Sequence, residues 1–179
     1  MKETIEKFEK IRDLEYEIPL FYGDKSFNCS SKNTLLKKFL EERWYIVNYR
    51  VCNFYWEDLN LPQNILRIQH TKESMHVYLE VEIKWKTVKI DTSWDIWLKN
   101  ILNIPYWDWI NSTNIAVKEN YTFSIDESEK IMNNISENEI KEHLNYNRNF
   151  YKKINEYLID NRINYEKSIN NRLKINELV

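Results

Sequence analysis

Hydrophobic positions recur every three or four residues at the start of this chain, every second residue in its middle, and every three or four again beyond residue 126. Over residues 2–13, Ile5, Phe8 and Ile11 or Leu14 stand at helical spacing with balanced charges between them, which predicts an amphipathic helix. Pro19-Leu20-Phe21-Tyr22-Gly23-Asp24 breaks the pattern as a loop. A second helix is predicted from about Cys29 to Arg43, with Leu35, Leu36, Phe39 and Leu40 as its buried stripe and Ser26 or Asn28 as its N-cap. Tyr45 to Trp56 is rich in β-branched and aromatic residues and predicts a strand. Residues 57–74, with Pro62, read as a polar linker. Then His76 to Ile83 alternates: Val77, Leu79, Val81 and Ile83 on one face, His76, Tyr78, Glu80 and Glu82 on the other, a strand of period two. Thr87 to Asp91 is its predicted hairpin partner, joined through Lys84-Trp85-Lys86.

Trp94, Trp97, Trp107 and Trp109 crowd the following stretch, either as packing over one end of the sheet or as a wall facing a substrate. From residue 126 to 178, Ile140, Leu144, Tyr151, Ile154, Leu158, Tyr165, Ile169 and Leu173 form a stripe on one long helix or two shorter ones. That stripe must dock on the N-terminal body or on a second chain. In the latter case the protein would be a homodimer through its C-terminal helices. The expected class is α+β: a cysteine-bearing helix packed on an antiparallel sheet, with a core over 1–125 and a C-terminal helical extension over 126–179.

Composition narrows the function. With 179 residues the chain suits one domain, and 42% hydrophobic residues suffice for a substantial core. A net charge of −2 lacks the basic footprint of a nucleic-acid binder. No apolar run approaches the roughly 20 residues of a membrane span. The charged N-terminus is not a secretory signal, so the expected location is the cytoplasm, where the two cysteines, Cys29 and Cys52, stay reduced. Zinc sites usually show close ligand pairs, and none occurs here, so neither a metal nor a cofactor is expected.

Cys29 falls at the predicted start of a helix, where the positive end of the dipole favours the thiolate. If 76–83 and 87–91 pair as a hairpin, His76 and Asp91 meet at one end of the sheet. The helix start need only abut that end. An imidazole could then take the thiol proton and pass it to a leaving group, while the carboxylate orients and stabilises the imidazolium. Backbone N–H groups at the helix start, including that of Cys29, are suited to an oxyanion.

Three blocks carry a resemblance: Cys29-Ser30-Ser31-Lys32-Asn33-Thr34-Leu35-Leu36, His76-Val77-Tyr78-Leu79-Glu80-Val81, and Val88-Lys89-Ile90-Asp91-Thr92-Ser93-Trp94. In order and spacing the chain resembles the transglutaminase-like family of papain-like cysteine enzymes over roughly residues 27–95. The resemblance implies a Cys29-His76-Asp91 triad and a thioester intermediate. The substrate would be a peptide, a protein or a small amide, cleaved by hydrolysis or passed on by acyl transfer. Phe27, Thr87 and Thr92 stand where the family often has glycine, tryptophan and proline; all three touch packing or turns, not the triad. An inactive module that keeps the fold for binding or scaffolding is the alternative. Cys52 reads as a core thiol, His70 and His143 as solvated, Glu80 and Glu82 as a solvated face. Asp95 is a rival to Asp91, and Tyr22 a weak candidate oxyanion donor.

Overall fold

The structure is a computed structural model that describes residues 1–176, with side chains through Ile169; Leu173 of the predicted stripe lies outside those side chains. The first periodic segment forms a helix over Lys2–Arg12 (α1), and the second forms one over Cys29–Glu41 (α2), two residues shorter than its pattern suggested. Helix α2 begins at Cys29 because Asn28 holds an extended backbone and its Oδ1 accepts the Ser31 N–H at 2.9 Å. Its inward face is not the predicted stripe. Leu36 and Leu40 are fully buried, but Leu35 is exposed, and Phe39 lies half-buried beneath the Arg43 guanidinium. Lys32 and Asn33 are fully buried in their place, in line with Cys29, Leu36 and Leu40 at helical steps.

Strands Val47–Tyr55 (β1), Glu73–Ile83 (β2), Lys86–Ile90 (β3) and the short Tyr121–Thr122 (β4) form one antiparallel sheet in the order β3-β2-β1-β4. The β2–β3 turn is the two residues Lys84 and Trp85, both at positive φ (47° and 69°). That backbone matches the twist of the strands it joins. The 57–74 segment is not merely a polar linker. It contains the short helix Gln63–Leu66 (α3), and Leu59, Leu61 and Ile65 are buried in the core.

The sheet is covered on both faces. Val77, Leu79, Val81 and Ile83 pack with Leu36 and Leu40 of α2 and with Phe8 and Ile11 of α1. On the other side, Cys52, Phe54 and Tyr78 share a core with the C-terminal helix. The C-terminal region is two helices, Ile125–Asn134 (α4) and Glu137–Asn176 (α5). Each is opened by a serine bonded reciprocally to a glutamate three residues on, Ser124 with Glu127 and Ser136 with Glu139.

Helix α5 docks on the rest of the chain. Leu144, Phe150, Tyr151, Ile154 and Leu158 join Tyr16, Phe54 and Trp56 in one core. Three polar side chains on the same helix tie it to loops. Asn147 Oδ1 accepts the Thr71 N–H at 2.8 Å. Asn155 accepts from the Ile18 N–H at 3.0 Å and donates to the Ile18 carbonyl at 2.8 Å. Arg162 donates to Asp95 at 2.7 Å and to the Tyr16 carbonyl at 2.8 Å. Of the tryptophans, Trp107 and Trp109 pack with Phe8 and Tyr45, whereas Trp94 donates to the Ala116 carbonyl at 3.0 Å. Among the described residues no helix is long and apolar enough to cross a membrane.

Candidate active site

Strand β2 extends past the end of β3, so His76 projects beyond the last ladder pair, Leu79–Ile90, toward the segment that leaves β3. Asp91 is the first residue of that segment. His76 Nε2 and Asp91 Oδ2 are 2.7 Å apart, and both residues are buried. The Asp91 carboxylate also accepts the Ser93 N–H at 2.9 Å, the Ser93 hydroxyl at 2.5 Å and the Ala116 N–H at 2.8 Å. Burial raises its pKa, but the imidazolium and these donors outweigh burial and hold it below the usual carboxylate range.

Cys29 is half-buried at the first position of α2. With Nε2 engaged by Asp91, Nδ1 is the imidazole nitrogen left for the thiol. Burial raises the Cys29 pKa, and hydrogen bonding and charge from His76, with the Val77 backbone, bring it below the ordinary thiol value. His76 is driven the other way: burial lowers its pKa, but Asp91 and then Cys29 raise it, to about 10. The two shifts run in opposite directions, both favouring the charged pair.

The first turn of α2 supplies further donors. Ser31 N–H goes to Asn28 Oδ1 and Lys32 N–H to the Asn28 carbonyl, leaving the N–H groups of Cys29 and Ser30 without a partner among the described residues. The Tyr16 side chain reaches the Cys29 thiol from the N-terminal segment, and burial with that thiol keeps it a phenol. Tyr16 is thus an aromatic side chain upstream of the cysteine that lines the same cleft. Tyr22 is exposed and stands over Lys141 instead.

Asn33, one turn into α2, is the residue most easily missed from sequence. Its amide donates to the Cys29 carbonyl at 2.9 Å and to the Val77 carbonyl at 2.8 Å, and accepts from Thr92 N–H at 3.3 Å and Thr92 Oγ1 at 3.1 Å. One side chain thus ties Cys29 itself, the residue after His76 and the residue after Asp91. Lys32 beside it donates to the carbonyls of Arg12, Leu14 and Ser93 at 2.6, 2.8 and 2.7 Å. Asn33→Leu should lower chemical-denaturation stability by about 2–4 kcal/mol, because buried carbonyls and an N–H lose their partner.

The remaining predicted residues sort themselves by partner. Asp95 is bound to Arg162 and the Tyr16 N–H, so Asp91 alone meets His76. Cys52 is fully buried directly across from His76 on β1, and burial pushes its thiol up to about 12. Of the two other histidines, expected to be solvated, His143 is exposed and His70 half-buried. His70 stacks on Phe150 at 3.9 Å, and His143 Nε2 lies 2.6 Å from the Tyr151 hydroxyl. Glu80 is half-buried, 3.6 Å from Arg50, while Glu82 is exposed.

Cys29 and His76 open onto a cleft of about 730 Å3 walled by β1, β2, α4 and α5. Trp94 lines it, so one tryptophan of the predicted wall faces this space while Trp107 and Trp109 pack elsewhere. Among the described residues no group of three His, Cys, Asp or Glu gathers as a metal site. No protein-family model matches the chain, and neither a curated protein nor a solved structure matches it.

Proposed function

We propose that this chain is a cysteine enzyme of the transglutaminase-like, papain-like type, acting on amide or ester bonds through Cys29, His76 and Asp91. The observation that carries the proposal is the thiol at the start of α2 beside an imidazole whose far nitrogen is locked 2.7 Å from a buried carboxylate. A partnered carboxylate that deep, with three further donors turned on it, is costly to bury and well suited to stabilising an imidazolium.

The Cys29 thiolate attacks the carbonyl carbon; the C–S bond forms and the carbonyl electron pair moves to oxygen. The Cys29 N–H and the Tyr16 hydroxyl hold that oxyanion. Collapse restores the carbonyl and breaks the C–N or C–O bond, and the leaving group takes the proton from His76 Nδ1. A water or amine then attacks the thioester, gives its proton to His76, and expels the thiolate. Water is the acceptor we favour, so the reaction class is peptidase or amidase, with acyl transfer to an amine by the same steps.

Alkylation tests the pairing without a known substrate. Iodoacetamide should modify Cys29 well below pH 8.5, because the lowered thiol pKa keeps thiolate present there. In His76→Ala burial and the Asp91 charge raise the thiol pKa against the Val77 backbone alone, and the profile should shift above 8.5. An unchanged profile in His76→Ala, or ordinary thiol titration in the natural sequence, would point to a binding module instead.

A further inference from the structure

We infer that the cleft beside Cys29 is an acyl-chain site: its substrate carries a bulky apolar acyl group and no negative charge. The inference rests on Cys29 as nucleophile, since that sets which end of the cleft receives the carbonyl.

The walls decide the chemistry. Beyond Cys29 and His76, the cleft is faced by Ile131 and Met132 of α4, Ile140 and Leu144 of α5, and Phe54 and Trp56 from the end of β1. About 730 Å3 is room for a substituent far larger than an acetyl group, and falls within the roughly 300–1,000 Å3 of small-ligand sites. Every methylene that leaves water for such walls gains binding free energy, and a hydrophobic wall discriminates by length rather than by a single contact.

Charge narrows it further. Among the described residues lining the cleft there is no lysine or arginine; the formal charges are Glu73, Glu139 and the Asp91-paired imidazole of His76. Glu139 is held by the Ser136 N–H and hydroxyl at 2.9 and 2.7 Å. Partial burial lowers the His143 pKa, and its Nε2 lies 2.6 Å from the Tyr151 hydroxyl. A carboxylate or phosphate on the substrate would lose its water and find no free cation, with two glutamates at the same surface. A neutral acyl chain meets neither penalty.

Binding to the Cys29→Ala variant of the full chain, which leaves the walls in place, provides the test. By calorimetry at pH 8, octanamide should bind at least about fiftyfold tighter than acetamide, since each methylene is worth up to about fourfold when fully buried. Octanoate should bind at least tenfold more weakly than octanamide, and Met132→Asp should cost octanamide about tenfold. Equal affinity for octanamide and acetamide, or for octanamide and octanoate, overturns the inference. Turnover separates it from the enzyme reading. If the natural sequence and Cys29→Ala hydrolyse 4-nitrophenyl octanoate alike, the nucleophile is wrong while the binding preference stands. If hydrolysis depends on Cys29 but acetate and octanoate esters share one kcat/KM, the nucleophile stands and the acyl-chain site falls.

Discussion

Cys29→Ala should abolish turnover while leaving the protein folded. Loss of a nucleophile that works as a unit with its base removes most of the rate, on the order of a millionfold where such residues have been deleted singly. The structural cost is small. Cys29 is half-buried at the first position of α2, alanine is a good helix residue, and the cap comes from Asn28. We expect a stability change within about 1 kcal/mol, an unchanged circular dichroism spectrum and no measurable product. Normal turnover by the alanine variant would rule out Cys29 as the nucleophile, whatever else the cleft binds.

Asp91→Ala should damage both stability and turnover. The carboxylate is fully buried and takes four hydrogen bonds, so its loss strands His76, the Ser93 N–H and hydroxyl and the Ala116 N–H. Breaking a buried pair on one side costs about 3–5 kcal/mol, and loss of the orienting carboxylate costs about 10⁴-fold in rate. Asp91→Asn separates the two effects. An amide keeps the volume and its oxygen can accept from Ser93, but its NH2 would take the place of the oxygen that Nε2 and the Ala116 N–H share, and face both. The ring proton is then forced onto Nδ1, where it blocks transfer from the thiol, so rate should fall with far less unfolding.

The pH dependence follows from the directions of the shifts. Asp91 is lowered, so its contribution is present above about 3.9 and is lost as pH falls through the folded value beneath that. His76 is raised to about 10, so its contribution is complete below its unfolded value near 6.5 and is lost as pH rises toward 10. The stability gap between the natural sequence and Asp91→Ala should therefore be wide at pH 6 and narrow at pH 10 in denaturant titrations. A gap that widens with pH would contradict the pairing.

The His76–Asp91 pairing was legible in the sequence because strand periodicity is a local signal. The alternation from His76 to Ile83 and the short turn after it bring His76 and Asp91 to one end of the sheet, and Asn28 marks the start of the cysteine helix. What escaped were polar side chains serving distant backbone. Leu35, Leu36, Phe39 and Leu40 outline a plausible apolar stripe, yet α2 turns Lys32 and Asn33 inward. Carbonyls from residues 12, 14, 77 and 93 converge there, and nothing within the helix announces them. Tyr16 was hidden for the same reason: its backbone is held by Asp95 and Arg162, far away in the chain. The apolar residues Leu59, Leu61 and Ile65 were masked by polar neighbours in a segment without a period.

The three stitches from α5 also set an order of events. Synthesis runs from the N-terminus, and α1, α2 and the β1–β3 hairpins can pair as they emerge. The Tyr16–Ile18 segment cannot be clamped until Asn155 and Arg162 arrive, nor can Ile140 and Leu144 close the cleft. A chain still being translated thus holds its cysteine and histidine but lacks the wall and the tyrosine clamp around them. The cleft is completed only once α5 has been made. A nascent chain halted before α5 should therefore leave the Tyr16–Ile18 segment open to limited proteolysis even where His76 and Asp91 have already paired.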